Sequence, residues 1–449
     1  MQSPNRCKGV CAALALALMA CAVVAATLRG QAETEAPVDY REAALKAAHW
    51  IASTGIESGQ ERVWPADSAD PKTVRSDLYS GAAGVVLFFV EAYRSTQDAV
   101  FLKEACNGAD YLLGSLGREK RSGLYEGLSG IGFALQESFK ATGNARYGDG
   151  VQRCVELLKA RARSAGKGVE WGEETDIISG TAGTGLFLLY AAREWKDSSA
   201  RELAAKAGER LIELGRPASG GLKWAMSASF GRLMPNFSHG TAGVAYFLAS
   251  LYLETKHQPF LDAAIGGAKY LQAVASTEGD TCLVFHHEPG GERLFYLGWC
   301  HGPVGTARLF YRLYQATGDR VWMDWVQRCA RGIMKSGIPE HQTPGFWNNA
   351  GQCCGTAGVA EFFLDLHRVT GNREYLAFTR RLTDDLLRRA TRDEKGMRWQ
   401  SAEFRVKPEL LASQTGYMQG AAGIGMFLLH LDAFEHAKRG RITLPDSPF

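Results

Sequence analysis

The sequence predicts an all-α protein, an α/α toroid of seven inner and seven outer helices, on three observations. A Gly-x-x-Gly turn recurs seven times, each copy opening an apolar, helix-forming run. Amphipathic stretches with charged faces fill the intervals. Of the 449 residues, 46% are hydrophobic and 22% charged, enough apolar material for a large core.

The turns occupy 77–84 (Asp-Leu-Tyr-Ser-Gly-Ala-Ala-Gly), 124–130 (Leu-Tyr-Glu-Gly-Leu-Ser-Gly) and 176–183 (Asp-Ile-Ile-Ser-Gly-Thr-Ala-Gly). The next two are 237–243 (Phe-Ser-His-Gly-Thr-Ala-Gly) and 298–305 (Gly-Trp-Cys-His-Gly-Pro-Val-Gly). The last two are 352–358 (Gln-Cys-Cys-Gly-Thr-Ala-Gly) and 417–423 (Tyr-Met-Gln-Gly-Ala-Ala-Gly). Their first glycines follow one another at 46 to 65 residues, the mark of one unit with variable loops. Glycine at these points lets backbones approach at a crowded axis and permits positive φ where the turn needs it.

Runs after the glycines, such as 184–193 and 359–367, are apolar around much of their circumference and read as inner, buried helices. The segments 40–53, 99–116, 145–163, 200–214, 259–275, 320–336 and 373–390 carry charge on one face and read as the outer layer. Thr-Gly-Asn at 142–144 and 370–372, and Thr-Gly-Asp at 317–319, end inner helices on a C′ glycine. Strand signal is confined to 281–286 and 293–296, where a short hairpin is expected.

At the N-terminus, Arg6 and Lys8 precede an apolar run over 9–26 that closes on small residues. This predicts a signal peptide or N-terminal anchor over 1–32, with export to the periplasm or cell exterior. Leu-Met-Ala-Cys at 18–21 also resembles a lipobox, with Cys21 as the lipidated residue. Residues 33–449 then form a single domain. A net charge of +3 without a dense Lys/Arg stripe excludes nucleic acid as a partner. Of ten cysteines, Cys7, Cys11 and Cys21 sit in the targeting segment. The remaining seven are an odd number, so they do not all pair within one chain. Cys106 and Cys154 follow successive turns at similar offsets and read as a disulfide or as buried free thiols.

The chemistry gathers on the turns. Residues just before the first glycine project toward one end of the axis. They are Ser80, Glu126, Ser179 and Gln419 in four units, but His239, the Cys300-His301 pair and the Cys353-Cys354 pair in units four to six. Cys300, Cys353 and Cys354 therefore converge from neighbouring units. Three thiolates with an open fourth position are the donor set of a zinc site that also binds substrate, and helix N-termini favour the thiolate. A vicinal Cys353–Cys354 disulfide or inert buried thiols are the blander readings, and His301 is the alternative ligand. An α/α toroid that processes glycans would instead use carboxylates such as Asp77, Glu126, Glu173 and Glu174.

The turns Gly-Trp-Cys-His-Gly and Gln-Cys-Cys-Gly, with the other five, resemble the lanthionine synthetase C-like (LanC-like) family over residues 40–435. That resemblance implies an α/α barrel holding Zn2+ through Cys300, Cys353 and Cys354, the last standing where the family usually carries histidine. It implies His239 and Asp176 as catalytic residues. It also implies addition of a thiol to dehydroalanine or dehydrobutyrine, giving a thioether in a peptide or small-molecule substrate. Tyr296 stands where family members often carry an arginine. A zinc-stabilised, non-catalytic peptide-binding protein is the other expectation.

Overall fold

A computed structural model describes residues 39–58, 61–438 and 441–449. The expected signal peptide or anchor over 1–32, with Cys21, lies outside the described residues.

Apolar runs too hydrophobic to face water become inner helices: α2 (Ala82–Thr96), α4 (Leu128–Thr142), α6 (Thr181–Trp195), α8 (Thr241–Thr255), α10 (Pro303–Thr317), α12 (Thr356–Thr370) and α14 (Ala421–Glu435). The first eleven residues of α8, Thr241 to Leu251, are all buried. The amphipathic stretches become outer helices: α1 (Tyr40–Ser53), α3 (Ala99–Ser115), α5 (Ala145–Arg161), α7 (Ser198–Leu214), α9 (Gln258–Val274), α11 (Arg320–Lys335) and α13 (Arg373–Arg389). Each outer helix packs on the inner helix before it, and α14 closes the circle by packing on α1 and α2. The expected seven-plus-seven toroid is what forms.

Caps explain the boundaries. Asp98, Asn144, Asp197, Asp319 and Asn372 each accept a backbone N–H from the first turn of an outer helix. Gly143, Gly318 and Gly371 end inner helices in the left-handed conformation, as the Thr-Gly-Asn/Asp signals predict. Gln97, Lys196 and Lys256 take the same conformation in other units.

The turn glycines serve close approach, as expected, and do not serve positive φ. No first glycine takes a left-handed φ; Gly81, Gly180, Gly240, Gly302, Gly355 and Gly420 lie between −98° and −156°, and Gly127 is extended at 163°. Their role is close approach. A methyl on Gly305 would lie 2.1 Å from the Trp299 carbonyl oxygen and 2.4 Å from Cβ of Phe237 in the neighbouring turn.

That approach lets the seven turns join in a closed belt of backbone hydrogen bonds. The Met418 N–H donates to Tyr79 O (2.8 Å), Tyr79 to Tyr125 O (3.0 Å), Tyr125 to Ile178 O (3.0 Å) and Ile177 to Ser238 O (3.2 Å). The Ser238 N–H donates to Cys300 O (2.9 Å), Trp299 and Cys300 to Cys353 O (2.9 and 3.2 Å), and Cys353 to Met418 O (2.9 Å).

The expected hairpin is not there. The segments 281–286 and 293–296 share a single backbone bond, His286 N–H to Leu294 O, and form no ladder. The first segment bridges elsewhere, Leu283 to Ser276, and Glu288 between the two segments bridges to Leu233. Two-stranded ribbons instead follow outer helices: β1 (Ile56–Ser58) with β2 (Glu61–Val63), β3 (Arg163–Ala165) with β4 (Gly168–Glu170), β5 (Arg216–Ala218) with β6 (Gly221–Lys223), and β7 (Thr391–Asp393) with β8 (Gly396–Arg398). After the last three of these ribbons, the indoles of Trp171, Trp224 and Trp399 donate to Leu158, Leu211 and Leu386, carbonyls in the last turns of α5, α7 and α13. A fifth ribbon pairs β9 (Ser401–Ala402) with β10 (Leu411–Ala412) and carries a loop over the site end of the ring.

Gly305→Ala is expected to destabilise the fold by about 1–3 kcal/mol, the range for overpacking against atoms that cannot move aside. Gly318→Ala, with open space around its Cβ position, bears only the left-handed backbone penalty, roughly 1 kcal/mol. Denaturant melts of both variants check the order; equal losses would show that close approach is not what the turn glycine provides.

Candidate functional site

Each functional side chain sits at the start of an inner helix, where the belt holds it. The carbonyls of Cys300 and Cys353 are belt acceptors, and Cys354 directly precedes Gly355, the N-cap of α12. The three sulfurs lie within 4.8 Å of one another: Cys300 to Cys354 is 3.0 Å and Cys353 to Cys354 is 3.3 Å. All three residues are buried and all are free thiols. Tetrahedral zinc with bonds of about 2.3 Å sets its sulfurs about 3.8 Å apart, so this donor set suits the ion in number and chemistry, with two of its sulfur pairs closer than the bound ion would set them.

The cluster has uneven proton affinity. Hydrogen bonds from Cys300, then Cys354, hold the Cys353 thiol well below its usual range despite burial, and Tyr79 adds to the effect. Burial first pushes Cys300 up, while Cys354 is held up by its bonds to Cys300 and Cys353. Gln419 donates to the Tyr79 hydroxyl (2.8 Å) and accepts from Asn349 (2.8 Å), fixing the tyrosine beside Cys353. The seventh unit therefore supplies an orienting amide where units five and six supply sulfur.

His239 and Asp176 are 63 residues apart in sequence and meet in space. His239 Nδ1 lies 2.6 Å from Asp176 Oδ2. The other carboxylate oxygen of Asp176 accepts from the Ser179 and Gly180 N–H groups (2.9 and 2.8 Å), so the turn cap and the histidine partner are one residue. Asp176 is 1% exposed and the His239 ring 31%. Burial opposes the imidazolium, but the hydrogen bond and charge of Asp176 override it and raise the His239 pKa above its ordinary 6.5. Nearby histidines go the other way: burial, then His287, pushes His286 down to about 4, and burial, then His286, pushes His301 well down. His301 stacks on His286 at 4.0 Å between ring centroids and is not among the sulfur group's ligand atoms. Of the four histidines lining the cleft, His239 is the one whose pKa is raised.

These groups line a cleft of about 350 Å3, floored by the cysteines and rimmed by Arg232, Phe404 and Arg405. A second cleft of about 430 Å3 adjoins it at Tyr79, Glu403 and Phe404. Tyr296 lies in the first cleft, hydrogen-bonded to Arg405; burial, then Cys354 and Cys300, pushes its hydroxyl up to about 12. Arg405, carried by the β9–β10 loop, was not singled out in the sequence, because nothing in its local pattern marks it. None of the carboxylates considered for glycan chemistry lines this cleft. Asp77 caps the first turn, Glu126 pairs with Arg121 (3.4 Å), and Glu173 accepts from Ser229 (3.1 Å). Cys106 and Cys154 are free thiols, with Cys154 raised to about 12 by burial.

The family described as lanthionine synthetase C-like protein matches residues 72–439. A Danio rerio protein named glutathione S-transferase LANCL1 is 19% identical over 327 residues, 69% of this chain and 73% of that protein. The structure of nisin cyclase is similar at a TM-score of 0.60 and 17% identity, covering 80% of this chain and 89% of the cyclase. An unsaturated glucuronyl hydrolase specific for heparin follows at 0.50 and 11%, covering 90% and 99%. At these identities the structural likeness is one of fold.

Replacing Asp176 with Asn is expected to bring the His239 pKa down to 6.5 or below, because burial then acts with less opposition. In the wild type, the charged pair stabilises the fold fully below about pH 6.5 and loses that contribution as pH rises through the raised native value. Titration of the His239 ring by NMR reads the shift. An unchanged midpoint would show that Asp176 does not hold the charge.

Proposed function

The chain belongs to the lanthionine synthetase C-like family, and from that premise we propose that it adds thiols to dehydroamino acids at a zinc ion held by Cys300, Cys353 and Cys354. One observation carries the reading: three buried sulfurs converge within 4.8 Å at the floor of a cleft that also holds a histidine hydrogen-bonded to a buried aspartate. Bound there, zinc would supply the Lewis acidity that lowers the pKa of an incoming substrate thiol. Glutathione, the thiol in the name of the LANCL1 relative, supports a thiol substrate, and the fold shared with nisin cyclase suits a peptide as well as a small molecule.

The chain's own residues handle the proton. When sulfur bonds to the β-carbon of a dehydroalanine, the π bond breaks and its electron pair moves onto the α-carbon and its carbonyl. His239, oriented through Nδ1 by Asp176, delivers a proton to that α-carbon from its other ring nitrogen. The substrate thiol releases its proton to water as the thiolate forms, and the partly exposed His239 ring takes one back from water, so the addition balances without any redox partner. Hydrogen bonds from Cys300 and Cys354, with Tyr79 held by Gln419 adding to them, keep the Cys353 thiol below its usual range. Arg405 and Arg232 place positive charge at the rim, suited to a carboxylate on the substrate. We place this activity outside the cytoplasm, on the strength of the basic and apolar N-terminal run.

Purified protein is expected to carry a single zinc per chain, and Cys353→Ala to lose it; a variant that keeps full zinc would refute the ligand assignment. His239→Asn is expected to retain zinc while thioether formation on a dehydroalanine peptide slows by roughly 10²–10⁴-fold, the scale of one acid–base group. Zinc content and product are measured on the same samples. Wild-type turnover in the His239 variant would remove its role, and a zinc-loaded wild type without turnover on such peptides would establish a binding protein in place of an enzyme.

A further inference from the structure

Residues 441–449 have no helix or strand of their own, yet they run inside the ring of inner helices. The Arg441 guanidinium pairs with Asp365 (2.7 Å) and Glu361 (3.2 Å) on α12, and the Ile442 N–H donates to Glu91 on α2 (3.1 Å). Beyond a turn at 445–446, Gln315 of α10 donates to Pro448 O (2.9 Å) and Phe449 stacks on Tyr311 at 4.6 Å. These contacts lie along the middle and far ends of the helices. Asp446 reaches the other end, and it is wholly buried.

A buried carboxylate persists only if its charge is met. Here Oδ2 accepts from Arg308 Nη1 (2.8 Å) and from the Trp299 indole N–H (3.0 Å), while Oδ1 accepts from the Tyr125 hydroxyl (3.2 Å). Arg308 also donates to the Asp446 carbonyl (3.1 Å). Trp299 and Tyr125 belong to turns five and two of the belt, and their rings meet edge to face at 5.0 Å. Trp299 is the residue before Cys300, and both donate their backbone N–H to the Cys353 carbonyl. Asp446 thus grips from below the same residue that the belt grips from the side.

We infer that Asp446 is a positioning residue for the sulfur site, acting through the Trp299 indole to fix how deep Cys300 lies against Cys353 and Cys354. It deepens the zinc reading, resting on it only for the effect on metal affinity, because the geometry of the three sulfurs is set by the chain alone.

The test uses the full chain stripped of metal with a chelator and treated with iodoacetamide, each cysteine being followed by peptide mass spectrometry. Asp446→Ala is expected to speed alkylation of Cys300 about tenfold, the lower end of what a residue orienting a ligand is worth, while Cys154 in the α4–α5 region stays protected. Asp446→Asn, which keeps the volume, is expected to act in the same direction and guards against simple misfolding. Trp299→Phe removes the indole donor, so adding Asp446→Ala to it is expected to change the Cys300 rate little further. Zinc affinity by chelator competition is expected to fall about 10–100-fold in Asp446→Asn. An unchanged Cys300 rate, parallel exposure of Cys300 and Cys154, or additive effects of the two substitutions would overturn the inference. If the wild type binds no zinc, the ligand reading fails, while the alkylation result still decides the role of Asp446.

Discussion

The closed belt of backbone hydrogen bonds through the seven turns is the constraint on which the rest depends. Each N–H before an inner helix must find a partner, and at a crowded axis water cannot supply it. The neighbouring turn does, and the last turn meets the first through Met418 and Tyr79. Only residues without a side chain allow the approach, so the glycines recur in register. The inner helices, all launched from one plane, are thereby buried, and the amphipathic helices must cover them. Residues just before the glycines all reach the same depth, which is why ligands from distant parts of the sequence meet.

The site is a local concession within that frame. Three sulfurs, a carboxylate and several imidazoles lie where apolar packing would be cheaper in free energy. Most have a named compensation, while Nδ1 of the buried His301 has no hydrogen-bond partner. Asp176 satisfies two turn N–H groups and a histidine with one carboxylate. Asp446 joins an arginine, an indole and a phenol. Shared protons relieve the three thiols unequally, leaving Cys353 the most acidic. This polar layer adds side-chain ties to the belt, between turns three and four through Asp176 and His239 and between turns two and five through Asp446.

Much of this was legible in the sequence wherever it rested on register. The seven turns give the inner helices, and the charged intervals give the outer ones to within a few residues. Cys300, Cys353 and Cys354 were readable because equivalent positions in a ring must converge. The turn glycines were read correctly as packing devices and wrongly as carriers of positive φ, since close approach and left-handed backbone leave the same residue in a sequence. The hairpin at 281–296 failed because Cys282 and Leu283 pack on α11 while His286, Leu294 and Tyr296 line the cleft. The ribbons that do form are three-residue arms around Gly166-Lys167, Ser219-Gly220 and Glu394-Lys395, too short to show alternation. The contact of His239 with Asp176 is a fact of ring geometry, and Arg405 and Asp446 arrive on irregular segments, beyond the reach of periodicity.

The central claim is that the ring delivers three cysteine sulfurs to one metal ion with a position left open. X-ray absorption at the zinc edge of the purified protein tests it most directly. The account predicts three sulfur neighbours at about 2.3 Å and a single lighter ligand at about 2.0–2.2 Å. A shell with fewer than three sulfurs, or four sulfurs with no lighter neighbour, would contradict it.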